Sequence, residues 1–179
     1  KVINKAKKDE MIAYLNDLKE KGDSTGGKVE VLIHGVDAGI GEPFFDSLES
    51  VISYLVFSVP GVKGIKFGKC NCNILGSEYI DKYEINNGEI KTISNHDAGI
   101  NGGISNGNDI LFQTCIKPAS SNSFNNELLD LENKQIVNKQ IGGRHDSSFV
   151  SRVPIVLEAV SAIAICDLYM ARFGNQWLK

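Results

Sequence analysis

Apolar positions along the first part of the chain follow two periods in turn. Between Asn4 and Lys21, Met11, Leu15 and Leu18 stand at helical spacing with lysines and acids between them, which predicts an amphipathic helix stopped at Gly22. In "KVEVLIHGV", residues 28–36, the period changes to two, with Val29, Val31 and Ile33 on one side of a predicted strand. Pro43 is placed to open a second helix, with Leu48, Ile52, Leu55 and Val56 along one face. The middle of the chain is β-rich. "GIKFG" reads as a short strand, and "YEINNGEIKT" sets Asn87-Gly88 between two alternating arms, the pattern of a type I′ hairpin. "DILFQTCI" alternates Phe112, Thr114 and Ile116 as a strand, and "LLDLENKQIV" predicts a second hairpin with its turn near Glu132 and Asn133. From Pro154 to Phe173 the pattern is helical and apolar on most faces, with Glu158, Asp167 and Arg172 as its charges. Such a helix is expected between layers or at a subunit interface.

Composition narrows the class. With 179 residues, 42% hydrophobic and 23% charged, the chain has room for one domain with a core, without an internal repeat or linker. A net charge of -3 supplies no basic field for nucleic acid, so any phosphate recognition is expected to be local. "KVINKAKKDE" has no apolar leader, and the uninterrupted apolar run Ala162–Cys166 is short against the ~20 residues of a membrane span. No membrane partner and a cytoplasmic location are therefore expected. Cys70, Cys72, Cys115 and Cys166 are too irregularly spaced for a disulfide framework or a zinc site and read as reduced, structural thiols. A chain opening on Lys1 rather than methionine reads as processed or as a piece.

Candidate chemistry collects in two glycine-bearing stretches. In "HDAGINGGISNGNDI", residues 96–110, Gly99, Gly102, Gly103 and Gly107 permit backbone conformations closed to other residues and a close approach to a flat or anionic ligand. The alternative is a tightly turned sheet corner. The stretch follows a hairpin and precedes a strand, which is not the context of a dinucleotide fingerprint. "KPASS", Lys117–Ser121, combines a cation, a fixed turn and hydroxyls, suited to a phosphate or simply exposed. "IGGRHDSS", residues 141–148, sets Arg144, His145 and Asp146 together, either an anion clamp with two proton carriers or a surface salt-bridge cluster. His34 falls in a strand pattern and reads as structural; His96, adjacent to the glycine loop, has the better claim to a pocket, the alternative being a satisfied turn histidine. "NSFNN", residues 122–126, is the locally polar stretch with the character of an active-site loop.

Taken in order, "GDSTGGKVEVLIHGVDAGIGEPFFDSLES", "VPGVKGIKFG", "GSE", "SNHDAGINGGISNG", "KPASS" and "GGRHD" followed by "VPIVLEAVSAI" resemble the C-terminal half of chorismate synthases, from about residue 6 to 170. The resemblance implies a carbon–oxygen lyase that converts 5-enolpyruvylshikimate 3-phosphate to chorismate by anti 1,4-elimination of phosphate, in the shikimate pathway of aromatic amino acid biosynthesis. Reduced FMN is the implied cofactor, without net redox change, and NADPH is its reductant where such an enzyme reduces its own flavin. The implied fold is α/β of the α+β kind, with helices sandwiched between antiparallel β-sheets, here about half of that sandwich as one domain over 1–179. The implied assembly is a homotetramer.

Carried over by position, the resemblance places flavin contacts at Pro60, Gly61, Gly102, Lys117, Pro118, Ala119, Ser120, Ser121 and Arg144. It also sets Arg144 near the substrate phosphate. Asp146 becomes the base that helps take a proton from the reduced flavin, a role that burial would favour. His145 becomes an orienting neighbour. Departures from the family pattern are Asp97 in the glycine loop, Ala119 where threonine is usual, and Ser147-Ser148 where Pro-Cys is usual. The histidine motifs of the family's N-terminal half do not occur here, so the isolated chain is expected to be an inactive fragment. The alternative is a non-catalytic flavin- or phosphate-binding or assembly module derived from that scaffold.

Overall fold

The computed structural model describes residues 4–69, 73–123 and 125–174. Cys70 and Cys72 lie outside the described residues. Helix α1 (Lys5–Glu20) begins where the Asn4 side chain accepts the Lys7 N–H. It ends at Gly22, whose φ of 71° lets the Asp23 N–H turn back to the Leu18 carbonyl at 2.9 Å. Of the predicted apolar face only Leu18 is buried; Leu15 is half-buried and Met11 exposed. Strand β1 (Gly27–Ile33) stops short of the predicted run because Gly35 takes a positive φ of 75° and turns the chain away.

Helix α2 (Leu48–Phe57) starts later than Pro43 suggests. Ser47 is the cap, its Oγ accepting the Ser50 N–H, and the Leu48 N–H donates to the Gly103 carbonyl at 2.9 Å. Pro43 instead sits in a turn closed by the Glu42 N–H on the Asp46 carbonyl. Strand β2 (Val62–Phe67) returns, followed by a single turn, α3 (Gly76–Tyr79), that periodicity does not reveal. The hairpin of β3 (Tyr83–Asn86) and β4 (Glu89–Thr92) has φ of 51° and 84° at Asn87 and Gly88, as a type I′ turn requires.

Within the glycine-rich stretch, β5 (Ile100–Asn101) and β6 (Ile104–Ser105) form a small hairpin, and β7 (Ile110–Ile116) follows. Strands β8 (Asn125–Asp130) and β9 (Gln135–Gln140) make the second predicted hairpin, so the polar stretch 122–126 runs partly into a strand, Phe124 lying outside the described residues. Its turn is set by the Asp130 carboxylate, which accepts the N–H groups of Glu132 and Asn133. Helix α4 (Val153–Phe173) closes the described chain.

Strand β7 is the centre of an antiparallel sheet ordered β1-β7-β2. The pleat puts Ile110, Phe112, Thr114 and Ile116 on one face, over which Leu48, Ile52 and Val56 of α2 and Leu157, Ala164 and Leu168 of α4 pack. Thr114 is fully buried and its hydroxyl donates to the Val29 carbonyl at 3.2 Å, so the polar atom is satisfied. Truncating Ile52 or Leu157 to alanine in so closed a core costs about 2–5 kcal/mol. Helix α4, expected between layers or at a subunit interface, is buried along one side. Its stripe through Val153, Leu157, Ser161, Ala164 and Leu168 is buried, while Ile155, Ile163 and Met170 are exposed. With the turn before it, this helix is long and apolar enough to cross a membrane by length and composition, yet its buried stripe forms part of the core. Cys115 and Cys166 are free and exposed, not structural core thiols, because each points away from the buried face of its element.

Candidate functional site

Strand β7 separates two groups of candidate residues. At its Ile116 end, the Lys117 N–H donates to the Gly61 carbonyl at 2.9 Å. Gly61 has a φ of 94°, and a Cβ there would stand 2.8 Å from Phe149 Cζ, so the Pro60-Gly61 turn lies between the exit of β7 and the segment that follows "GGRHDSS". That segment is fastened in turn by the Thr25 N–H, which donates to the Ser147 carbonyl at 2.8 Å. Pro60, Gly61, Lys117, Pro118, Ala119, Ser120 and Ser121 thus belong to one end of the sheet, on segments joined directly to the one carrying Arg144 and Asp146.

The charges there are unequal. The Lys117 ammonium donates to Ser120 Oγ at 2.7 Å and has no ion pair among the described residues. Arg144 is exposed, with no hydrogen bond or ion pair to any described residue. Asp146 is exposed as well, and its Oδ2 lies 3.1 Å from Arg152 Nη1. The burial that would favour a base role for this carboxylate is not found, because Arg152 in the turn opening α4 pairs with it at the surface. The His145 ring is fixed by its Nε2–H donating to the Ile141 carbonyl at 3.0 Å. Uncommitted cations beside serine hydroxyls and turning backbone can bind a phosphate-bearing ligand.

The glycine-rich stretch lies at the other end. A Cβ on Gly99 would stand 2.6 Å from the Asp109 carbonyl oxygen, and one on Gly103 would stand 2.7 Å from Ser47 Cβ. Those two glycines serve the chain's own close packing, the sheet-corner alternative. Gly102 differs: it is exposed, its φ is 59°, and a Cβ there would meet nothing within 4 Å. The ten residues of α2 span about 15 Å between this end and Gly61, so the structure does not gather Gly102 into the Lys117 group.

Beside the glycine stretch, Asp81 organises the loop. Its carboxylate accepts Ser94 Oγ–H at 2.6 Å, the His96 N–H at 2.8 Å and the Asp97 N–H at 3.1 Å. Burial pushes this carboxyl up, but the His96 N–H, the Ser94 hydroxyl and the Asp97 N–H together outweigh it and hold the pKa below the ordinary value. His96 Nδ1–H donates to the Tyr79 carbonyl at 2.8 Å, so of the two readings it is the satisfied turn histidine. The Asp97 carboxylate is occupied by Asn101 Nδ2 at 2.8 Å. His34, expected to be structural, is exposed just past β1 and contacts Asp109 at 2.8 Å. No local pattern marks a task for Ser24 and Thr25, because their contacts with the Lys117 and Ser147 segments come from distant parts of the chain. Their signal in the sequence is "GDSTGG", residues 22–27, with hydroxyls between glycines.

The family model for chorismate synthase matches residues 1–170. The chain belongs to the chorismate synthase family. It is 43% identical over 150 residues to a chorismate synthase of Chitinophaga pinensis, a match covering 83% of this chain and 45% of that protein. Against a chorismate synthase of Methanosarcina barkeri, identity is 39% over 168 residues, covering 93% of this chain and 46% of the relative. The chain therefore spans about half the length of the curated relatives it matches. A crystal structure of chorismate synthase superimposes with a TM-score of 0.74 at 24% identity, covering 93% of this chain and 43% of that one. That likeness shows the fold: helices and antiparallel sheet of chorismate synthase type, about half of the whole.

Proposed function

We propose that residues 1–179 form one domain, the C-terminal half of an enzyme that eliminates phosphate from 5-enolpyruvylshikimate 3-phosphate to give chorismate, with reduced FMN as cofactor. Family membership supports the reaction. The observation that carries this chain's part in it is the junction of the Gly61, Lys117 and Phe149 segments at one end of β7, with Lys117 and Arg144 free of acidic partners among the described residues.

That donor set fits a phosphate-bearing flavin. Lys117, Ser120 and Ser121 would hold its phosphate, with Pro60, Gly61, Pro118 and Ala119 supplying backbone, and Arg144 reaching both it and the substrate phosphate through its planar fork. When bound, reduced flavin supplies electron density transiently as phosphate leaves. The Asp146 carboxylate, once released from its ion pair with Arg152, would accept the proton that leaves the reduced flavin, and His145 would keep the segment oriented. Gly102 joins this reading as an open backbone position one α2 length away. The exposed apolar side of α4 supports assembly into the homotetramer, and a cytoplasmic location with NADPH as reductant belongs to the same reading.

The test compares the 179-residue chain with the complete protein, each incubated anaerobically with chemically reduced FMN and 5-enolpyruvylshikimate 3-phosphate while chorismate is followed. Turnover by the complete protein alone is expected. Turnover by the short chain would overturn the view that it holds half of the chemistry, and silence from the complete protein would overturn the reaction.

A further inference from the structure

The segment 117–123, between the end of β7 and the start of β8, has no regular structure. At its first residue the Lys117 N–H is held by the Gly61 carbonyl, and at its last the Ser123 N–H is held by the Gly22 carbonyl at 2.9 Å. Between these points, Ser24 Oγ donates to the Ala119 carbonyl at 2.7 Å, a part-buried contact from a residue far away in sequence. The same short stretch, 22–27, fastens the other anion-binding segment through the Thr25 N–H on the Ser147 carbonyl. Gly26 closes the arrangement, because a Cβ there would overlap the Ile116 carbonyl oxygen and stand 2.9 Å from the Lys117 carbonyl carbon. Gly22 is close-fitting too, its Cβ position being 3.1 Å from Ser123 Cβ.

We infer that residues 22–27 are a clamp that sets Lys117–Ser121 against the Arg144–Ser148 segment, and that Ser24 is its positioning residue. The inference rests on the flavin reading for what the two segments bind, but not for how they are joined. The backbone bonds at Lys117 and Ser123 survive loss of the Ser24 side chain, so the ends of the segment stay anchored. Towards the end of the segment Asn122 Nδ2 keeps its 3.5 Å contact with Asp23 Oδ1, but the tie at Ala119 is lost. Ala119 then moves relative to Thr25, and the Lys117 ammonium and the hydroxyls of Ser120 and Ser121 spread over more arrangements than one phosphate can use. A ligand binding such a segment must order it first, which lowers affinity without removing any group that touches the ligand. Threonine keeps a hydroxyl on Cβ and so keeps the bond; alanine does not.

The experiment uses the complete protein and its Ser24→Ala and Ser24→Thr variants. FMN is titrated by fluorescence quenching, and amide hydrogen exchange over 117–123 and 144–150 is measured without ligand. Loss of one neutral hydrogen bond corresponds to a roughly 2- to 10-fold weaker FMN affinity for Ser24→Ala. Faster exchange confined to those two segments is expected with it, and Ser24→Thr is expected to restore both. Unchanged exchange and affinity in Ser24→Ala would overturn the clamp, as would equal losses in Ser24→Thr or faster exchange spread evenly through the core. Failure of the unaltered protein to bind FMN would bring down the flavin reading instead, and the exchange comparison would still decide the clamp.

Discussion

The Lys117 N–H meets the Gly61 carbonyl at 2.9 Å, and the Phe149 ring covers the same glycine. Gly61 is constrained twice, by a φ of 94° and by a Cβ position 2.8 Å from Phe149 Cζ. Gly61→Ala is therefore expected to destabilise by about 1–3 kcal/mol through left-handed strain and overpacking. Chemical denaturation checks the magnitude. Repeating it in a Phe149→Leu background separates the causes: the clash shrinks there, whereas the backbone strain stays.

The glycines of residues 99–103 are expected to respond unequally to alanine. Gly99→Ala and Gly103→Ala drive a methyl group against the Asp109 carbonyl and Ser47, so each combines positive-φ strain with a steric clash. Gly102→Ala meets nothing and carries the strain alone, about 1–2 kcal/mol. Thermal melts of the three variants should rank Gly102→Ala as the mildest. Equal losses at all three positions would contradict the distinction drawn between packing glycines and an open one.

This contrast shows what the sequence discloses and what it withholds. Alternation and turn chemistry suffice where a rule is local, so the type I′ hairpin at Asn87-Gly88 and the alternating β7 are legible, and the order of motifs identifies the family. The start of α2 is less so: Pro43 is a good first-turn residue, but the Gly103 carbonyl, from a distant loop, fixes the start at Leu48. Likewise, nothing local distinguishes a glycine bared for a ligand from one bared for Ser47. Asp146 shows the same limit, since its exposure depends on Arg152 in the following turn. The task of Ser24 is invisible for the same reason, as its partner Ala119 is brought to it only by the fold.

Asp81 makes part of the stability pH-dependent. Its folded pKa is lowered from 3.8, so its contribution is fully present above that value and is lost as pH falls through the lower folded value. Asp81→Asn removes an ionised acceptor from the Ser94 hydroxyl and the N–H groups of His96 and Asp97. A cost of about 1–3 kcal/mol is expected at pH 7. The gap between variant and parent should narrow below pH 3.8, as the parent's own carboxyl takes up its proton. Urea denaturation at pH 7 and at successively more acid values reads this directly, and a gap that widens in acid would show the sign to be wrong.

Arg144 offers a separation of binding from stability. It is exposed and unpaired among the described residues, so Arg144→Ala is expected to leave the melting temperature nearly unchanged. On the proposed function, binding of FMN to the complete protein should weaken by about 10-fold or more, the effect of losing a charge-assisted contact to its phosphate. Raising the salt concentration should erode the parent's affinity more than the variant's. Arg144→Lys keeps the charge without the planar fork and should recover only part of the loss.

Asp146 and Arg152 test whether an exposed ion pair conceals a catalytic group. A surface pair of this kind is worth about 0–1 kcal/mol, so neither Asp146→Asn nor Arg152→Ala should shift denaturation appreciably. Their effects on turnover should diverge. If the Asp146 carboxylate accepts a proton during the reaction, Asp146→Asn in the complete protein lowers kcat by about 100-fold or more. Arg152→Ala retains the carboxylate and removes only its surface partner, so kcat should fall far less. Single-turnover chorismate formation with reduced FMN already bound separates this chemical step from cofactor affinity. Equal, small losses in both variants would leave Asp146 as a surface residue of the α4 turn and require the proton acceptor to lie elsewhere.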